Sequence, residues 1–402
     1  MLAIDFGAYS IKAVKIERNR SGYYLSNFGI VLTPPGSIVH GEIKDVDSVS
    51  QALGKMLQKK GISDRNCIIA LTGQKVIVRE ITSPFMTEKE LKEGIRWEAP
   101  KYVPYDLEDS LLDAKIIEEL EEKDGSRMIK ILLVASPKNL LEQQIAVLKK
   151  LKLQPRVADI VANAQMRAFE SYLVPSSGLN EEGTLIDIIL SIGASTTEIT
   201  LVEGDRLKFT RTILKGGDDI NRLIENKLNV PFPEAELLKR QVGLGLDEED
   251  PVPDPEKNSK EKITEINGMI EPSITSEQAD KEPIHIKANT AEDEKEAPLP
   301  NEEKIAELVN SGVTEIFNEI RKSLNYFKTQ YQKVNYQRII LCGGMTRLSN
   351  LGQMLKKQFG ITVVIANPLK DVVVNESISN VEALEEQKSA LATAVGLAKR
   401  ER

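Results

Sequence analysis

A hydrophobic strand that runs into a Gly- and Ser/Thr-containing loop, and then into a β-hairpin, occurs twice in this chain. Near the start, Leu2-Ala3-Ile4 leads into Asp5-Phe6-Gly7-Ala8-Tyr9-Ser10, after which Ile11, Ala13, Val14 and Ile16 are interleaved with Lys12, Lys15 and Glu17. In the second half, Thr184 to Ile192 is an apolar strand, Gly193-Ala194-Ser195-Thr196-Thr197 is the loop, and a hairpin turns at Glu203-Gly204-Asp205. Alternation marks half-buried strands, and an unbroken apolar run marks a buried one. Repetition of the pattern without close identity predicts a duplicated α/β chain of two lobes. At 402 residues there is enough chain for both.

Each loop has the makings of an anion site. Backbone amides in a tight turn converge on one point and form a nest for phosphate. In Asp5-x-Gly7-x-x-Ser10-x-Lys12, Gly7 admits a close approach, Ser10 adds a hydroxyl donor and Lys12 a charge, while Asp5 suits the waters of Mg²⁺. Gly193, Ser195 and Thr196 repeat the device. Either loop alone is equally an ordinary tight hairpin; as a pair they favour phosphate held from two sides. A third candidate is the buried strand Ile339-Ile340-Leu341-Cys342 opening into Gly343-Gly344-Met345, where a backbone or flat ligand can approach.

Between these landmarks the elements read as follows. A strand pair is expected at 23–32, a helix at 46–60, a buried strand at 67–71, and a half-exposed one over 76–81. Thr87 with Glu90 forms a capping box opening a helix near 88–97. Strands near 111–117 and 128–135 and a helix at 137–150 complete a compact unit over 84–155. Asp218 is the expected N-cap of a helix at 219–228, after Lys215-Gly216-Gly217. A broad apolar face marks 302–328 as a core helix, and small residues (Ala390, Ala392, Ala394, Gly396, Ala398) mark a closely packed last helix. The chain thus divides into 1–83 (first lobe), 84–155 (inserted α+β unit), 156–184 (return), 185–246 and 301–384 (second lobe), and 385–402 (a helix returning to the first lobe).

Composition narrows the function. The formal charge of −8 is uneven: residues 247–300 hold 16 acidic residues and 6 lysines, and the rest of the chain is +2. That segment has seven prolines and no aromatic residue, and is expected to be a disordered acidic loop. A near-neutral body without a basic run argues against nucleic acid. Only two histidines, His40 and His285, and two distant cysteines, Cys67 and Cys342, argue against a zinc site, a Ser-His-Asp triad or a disulfide scaffold. No run approaches the roughly 18 apolar residues of a membrane span, and Met1–Asp5 lacks a basic leader region. A cytoplasmic protein, reaching membranes only through partners, is the expectation.

In order and content these motifs resemble the actin/Hsp70/FtsA superfamily, and within it the PilM family of type IV pilus assembly. The marks are Gly7-x-x-Ser10-Ile11-Lys12-Ala13-Val14, Trp97-Glu98-Ala99-Pro100-Lys101-Tyr102-Val103-Pro104-Tyr105, Leu133-Val134-Ala135-Ser136-Pro137-Lys138 and Lys215-Gly216-Gly217-Asp218-Asp219-Ile220. Ala235-Glu236-Leu237-Leu238-Lys239 resembles the family's adenosine-contacting helix, and Ala392 to Ala398 its closing helix. The resemblance implies a two-lobed actin-like (ribonuclease H-like) α/β fold with ATP and Mg²⁺ between the lobes. It also implies that the insertion helps form a groove for the N-terminal cytoplasmic peptide of a PilN-like inner-membrane protein, and that the assembly links to a motor ATPase. Trp97, Tyr102 and Tyr105 read either as that peptide surface or as a cluster closing the insertion's own core.

Two positions depart from the family's pattern. Ser191 stands where the second loop usually begins with Asp, and Asp187, four strand residues upstream, is about 13 Å away and so too far to replace it. Val161-Ala162 stand where an acidic residue and proline are usual, in what reads as a connecting helix over 157–164. Loss of one such group typically costs about 10²–10³-fold in rate, so a nucleotide-binding scaffold with weak or no hydrolysis is expected, and no catalytic residue is assigned. A GspL-like scaffold of type II secretion, or an active ATPase or kinase of the superfamily, are the alternatives. The last requires a carboxylate near the γ-phosphate from the second lobe, and sequence spacing supplies none.

Overall fold

The computed structural model describes residues 1–20, 22–121, 125–173, 184–244, 302–331, 333–375, 378 and 381–400. The acidic segment 247–300, with His285, lies outside the described residues.

Two sheets carry the duplication. In the first lobe β1 (Leu2–Phe6), β2 (Ser10–Asn19) and β3 (Gly22–Leu32) form an antiparallel meander. After the short pair β4 (Ile38–Val39) and β5 (Glu42–Ile43) and helix α1 (Val46–Lys59), β6 (Asn66–Leu71) returns parallel to β1. In the second lobe β11 (Thr184–Ile192), β12 (Thr197–Glu203) and β13 (Arg206–Ile213) repeat the meander, and β14 (Val334–Cys342) and β15 (Thr362–Ile365) add in parallel beside β11. The sheet orders are β10-β6-β1-β2-β3-β16 and β13-β12-β11-β14-β15, with β10 (Gln154–Ile160) and β16 (Val372–Val374) on the edges of the first. The expected strand pair at 23–32 is one long strand, because the pairing of β2 with β3 already starts at Asn19 and Gly22.

Helix faces follow the apolar spacing. Helix α5 (Gly217–Leu228), α6 (Phe232–Val242) and the long α7 (Glu302–Gln330) cover the second sheet, where Ile305, Val309, Val313, Ile316, Phe317, Ile320, Leu324 and Phe327 are all buried. Helix α8 (Leu351–Phe359) flanks β15.

Between 77 and 137 the chain builds a separate three-stranded sheet of β7 (Ile77–Pro84), β9 (Arg127–Pro137) and β8 (Ser110–Glu121), covered by α2 (Glu88–Glu98) with its Thr87–Glu90 capping box. This shifts the sequence boundaries at both ends. β7 pairs along its whole length with β9 rather than with the first sheet. Helix α3 (Lys138–Lys150) buries Val147 and Leu148 in the first lobe's cluster with Leu53 and Leu57, since its apolar face fits α1 and not the small sheet.

Helix α4 (Val161–Ala168) and the closing helix α10 (Ala392–Ala398) run between the two large sheets. Val161, Ala164 and Leu397 pack on the first sheet, Ala168 and Ala392 on the second. They touch so closely that a Cβ on Gly396 would overlap the Ala164 carbonyl oxygen. Residues 157–160, read as helix, belong to β10, whose parallel pairing with β6 overrides their helical spacing. A short helix, α9 (Val381–Gln387), precedes α10.

Candidate functional site

The first loop sits at the β1–β2 turn. Lys12, in register with Asp5 across the hairpin, reaches it with Nζ 3.0 Å from Oδ2 although Lys12 is buried. A Cβ on Gly7 would lie 2.7 Å from the Ser10 carbonyl oxygen and 2.8 Å from Lys12 Nζ, so only glycine leaves this cradle open. The second loop repeats the turn, with Gly193 N–H donating to Thr196 O at 2.9 Å. Its outward carbonyls are then used by α5: Gly217 N–H donates to Gly193 O (3.0 Å) and Asp218 N–H to Ala194 O (2.8 Å). Gly216 permits that contact, because a Cβ there would overlap Ala194 O. The N-cap of α5 is therefore Gly216 and not Asp218, and the Asp219 carboxylate accepts from Gly216 N–H at 2.8 Å.

The third glycine pair closes the same space. Gly343 adopts φ +93°, and a Cβ there would lie 2.4 Å from Ile192 O, so only glycine lets the end of β14 meet the end of β11 this closely. Together these elements enclose a cleft of about 1130 Å³, its solvent mouth included. Asp5, Gly7, Ser10 and Lys12 line it from the first lobe; Gly193, Ser195, Thr196, Gly217, Glu236, Lys239, Gly343, Gly344 and Met345 line it from the second. Of the residues singled out for nucleotide, only Gly216 stands behind the wall. On α6, Glu236 joins Lys239 (2.7 Å), Arg240 (2.5 Å) and Asn221 (2.6 Å). Burial opposes its ionisation, but these partners outweigh burial and lower its pKa; Asp218 beside them is raised by burial.

Side chains and backbone of the two lobes meet across the cleft, where His40 N–H donates to Ser195 Oγ at 3.3 Å. Arg240 donates to Tyr9 Oη at 2.9 Å, His40 Nδ1 donates to Ser195 O at 3.0 Å, and Thr72 Oγ1 donates to the Glu198 carboxylate. Glu198 is the residue that sequence spacing missed. It faces Ser191 in the β11–β12 register, lines the cleft, and carries a carboxylate in from the second lobe. The statement that the second lobe offers no such group is corrected by this pairing: seven residues apart in sequence, the two become cross-strand neighbours. Burial raises the Glu198 pKa to about 7, against the Thr72 hydrogen bond, and the Asp5 carboxylate adds to the rise. Two carboxylates facing one space, without a third ligand of that kind clustered among the described residues, suit a divalent ion that takes its other ligands from phosphate and water. The glycine cradle and Lys12 suit the phosphate itself.

Asp187 is spent elsewhere, 3% exposed and paired with Arg338 at 2.8 Å. Asp159 likewise accepts from Arg167 and Arg400, each at 2.5 Å, anchoring the end of the chain. Of the three aromatics in the insertion, Trp97 is 83% exposed, whereas Tyr102 and Tyr105 pack on the insertion's own core. Tyr105 also donates to Lys75 O at 2.8 Å, and burial raises its pKa to about 12. Cys342 is fully buried in its strand.

Two duplicated lobes of this topology, closing over one cleft with small-residue helices between them, define an actin-like protein. The family model described as "Type IV pilus assembly protein PilM" matches residues 3–281 and 281–402. Cell division protein FtsA of Enterococcus hirae is 21% identical over 99% of this chain and 85% of its own length, and FtsA of Streptococcus pneumoniae 21% over 95% and 79%. The solved PilM-PilN type IV pilus biogenesis complex superimposes with a TM-score of 0.74 at 23% identity, covering 99% of this chain and 97% of that one. The chain belongs to the PilM family of type IV pilus assembly proteins. None of its described helices is long and apolar enough to cross a membrane.

Proposed function

We propose that this chain is a nucleotide-binding scaffold of a type IV pilus assembly platform, cytoplasmic and held at the inner membrane through partners. The observation that carries the reading is the pair of glycine loops facing one cleft, with Asp5, Lys12 and Glu198 at its inner end. Backbone amides of both loops, Ser10, Ser195, Thr196 and Lys12 hold the phosphates of ATP. Glu236 and Lys239 hold the ribose end, and Gly343, Gly344 and Met345 leave room for the base. Asp5 and Glu198 orient the waters of Mg²⁺, which when bound screens the phosphate charge. With Ser191 in place of Asp, hydrolysis is slow and binding energy serves lobe closure.

The partner reading is supported by the likeness to PilM as solved in complex with PilN. A PilN-like N-terminal peptide docks in a groove formed with the insertion, with Trp97 as its exposed anchor and Tyr102 and Tyr105 shaping the surface beneath. A cytoplasmic motor ATPase is the further partner. Calorimetric titration of the full chain with Mg-ATP, ATP alone and the cognate peptide tests both halves. Expected are ATP binding that weakens tenfold or more in Asp5→Ala and peptide binding that weakens similarly in Trp97→Ala. Absence of any nucleotide binding would sink the first half, and absence of binding to the cognate peptide the second.

A further inference from the structure

The mouth of the cleft is spanned by a pair of side chains that the phosphate-loop motif leaves unexplained. Position 9 is open in the pattern Gly7-x-x-Ser10, and its neighbours in the turn are small, yet it carries a tyrosine. Tyr9 is 41% exposed and lines the cleft from the first lobe. Its phenol oxygen accepts from Arg240 at 2.9 Å, and the guanidinium carbon lies 5.4 Å from the ring centroid, within cation–π range. Arg240 belongs to α6 of the second lobe. Exposure falls from Tyr9 through Arg240 and Glu236 to buried Lys239, so the pair occupies the solvent end of the cleft and the binding groups lie behind it.

Both halves are held in place before any ligand arrives. On the first-lobe side the Thr33 hydroxyl donates to Gly7 O at 2.6 Å and the Thr33 N–H to Tyr9 O at 3.0 Å, which ties the turn to the end of β3. On the second-lobe side Arg240 Nε donates to Glu236 at 2.6 Å, and Asn221 donates to the same carboxylate at 2.6 Å. A guanidinium is a rigid fork of N–H donors. Here one prong is fixed on its own helix and another reaches the opposite lobe. One hydrogen bond and one ring contact, both partly in solvent, make a bridge that forms and breaks readily. The backbone-tight crossing of α4 and α10 has no such freedom.

We propose that Tyr9 and Arg240 form a clasp that gates nucleotide exchange: a nucleoside phosphate enters or leaves the cleft only while the two side chains are apart. The inference rests on the nucleotide-binding reading and adds what sets the traffic through the mouth. The clasp joins the lobes with or without a ligand behind it, so it slows entry and exit alike and leaves affinity nearly unchanged. A side chain that touched the nucleotide itself would change affinity instead, chiefly through the rate of exit.

The test compares wild type, Tyr9→Phe and Tyr9→Ala in the full chain. Rapid filtration with radiolabelled Mg-ADP gives the association and dissociation rates, and calorimetric titration with Mg-ADP gives the affinity. Tyr9→Ala is expected to raise both rates about tenfold, the scale of one hydrogen bond and one cation–π contact, with affinity within about threefold of wild type. Tyr9→Phe, which keeps the ring and loses the acceptor, falls between the two in both rates. Tyr9→Ala rates equal to those of wild type overturn the inference, as does a faster exit matched by an equal loss of affinity. A Tyr9→Ala or Tyr9→Phe protein that fails to fold also overturns it, by making Tyr9 a part of the fold. Wild-type protein that binds no Mg-ADP overturns the proposed function together with the clasp.

Discussion

Glu198 holds its carboxylate half-buried against Thr72 and within reach of the Asp5 charge, with its pKa raised to about 7 from an ordinary 4.5. A raised carboxyl binds a proton in the folded protein between those two values that the unfolded chain has already released. Stability from this group is therefore present at low pH and is lost as pH rises from about 4.5 to 7. Urea unfolding at pH 5.5 and 7.5 should show wild type losing about 2 kcal/mol more than Glu198→Gln across that window; equal losses in the two proteins would refute the assignment. The residues of the two loops were legible in the sequence because their chemistry is local: a glycine, a hydroxyl and a lysine within a few positions of a strand end. Glu198 was not. It enters through the register of a hairpin, and that relation is not visible until the register is known. His40 enters the sequence reading only as one of two histidines, too few for a zinc site or triad; its contact with Ser195 depends on a turn at φ 52° that nothing local announces.

Among the elements, the crossing of α4 and α10 governs how the lobes are joined. Gly396 lies on the Ala164 backbone, where even a methyl group meets a carbonyl oxygen that the helix cannot move. Gly396→Val should lower the unfolding free energy by at least about 2 kcal/mol, measured by urea denaturation, whereas the same change at half-buried Gly94 has no neighbour within 4 Å to meet. A second joint links the small sheet to the second lobe. Lys208 on β13 and Glu80 on β7 pair at 2.9 Å with side chains only 9% and 10% exposed, and Leu207 packs with Val78 beside them. Lys208→Met alone should cost about 3 kcal/mol because it strands a buried carboxylate, and Lys208→Met with Glu80→Leu should recover most of that. A double change as damaging as the single one would show that the charges themselves are needed. Element types were largely readable from periodicity, as α2, α7 and the strand–loop–hairpin units show. Membership was not: α3 reads as the end of the insertion yet shares a face with α1, and β7 reads as the first lobe's strand yet pairs with β9. An amphipathic face says that a segment is covered, not by which neighbour.

On the scale of the whole molecule, the net charge and the fold belong to different parts of the chain. Residues 247–300 carry −10 and the remainder +2, so the protein's negative charge, and any electrostatic steering by it, resides in that stretch of the sequence. The segment also leaves and re-enters the same body. Leu244 before it and Ile305 after it are each 2% exposed and lie in one hydrophobic cluster under α7. Removing what lies between two anchored points leaves both anchors and the described members of the cluster in place. It also shortens the loop whose closure the folded state must overcome. The entropic cost grows by only about 0.6 kcal/mol per doubling of length, so replacing 247–300 with about eight Gly/Ser residues should raise stability by roughly 1–2 kcal/mol. The same variant should bind Mg-ATP with unchanged affinity, since none of the described residues lining the cleft is touched. On an anion exchanger at pH 7 it should elute well before the full chain, having lost the negative charge that retained it. A variant that unfolds, or whose nucleotide affinity falls tenfold, would mean that the second lobe's core extends into the acidic segment and that the division of labour between body and charge is false.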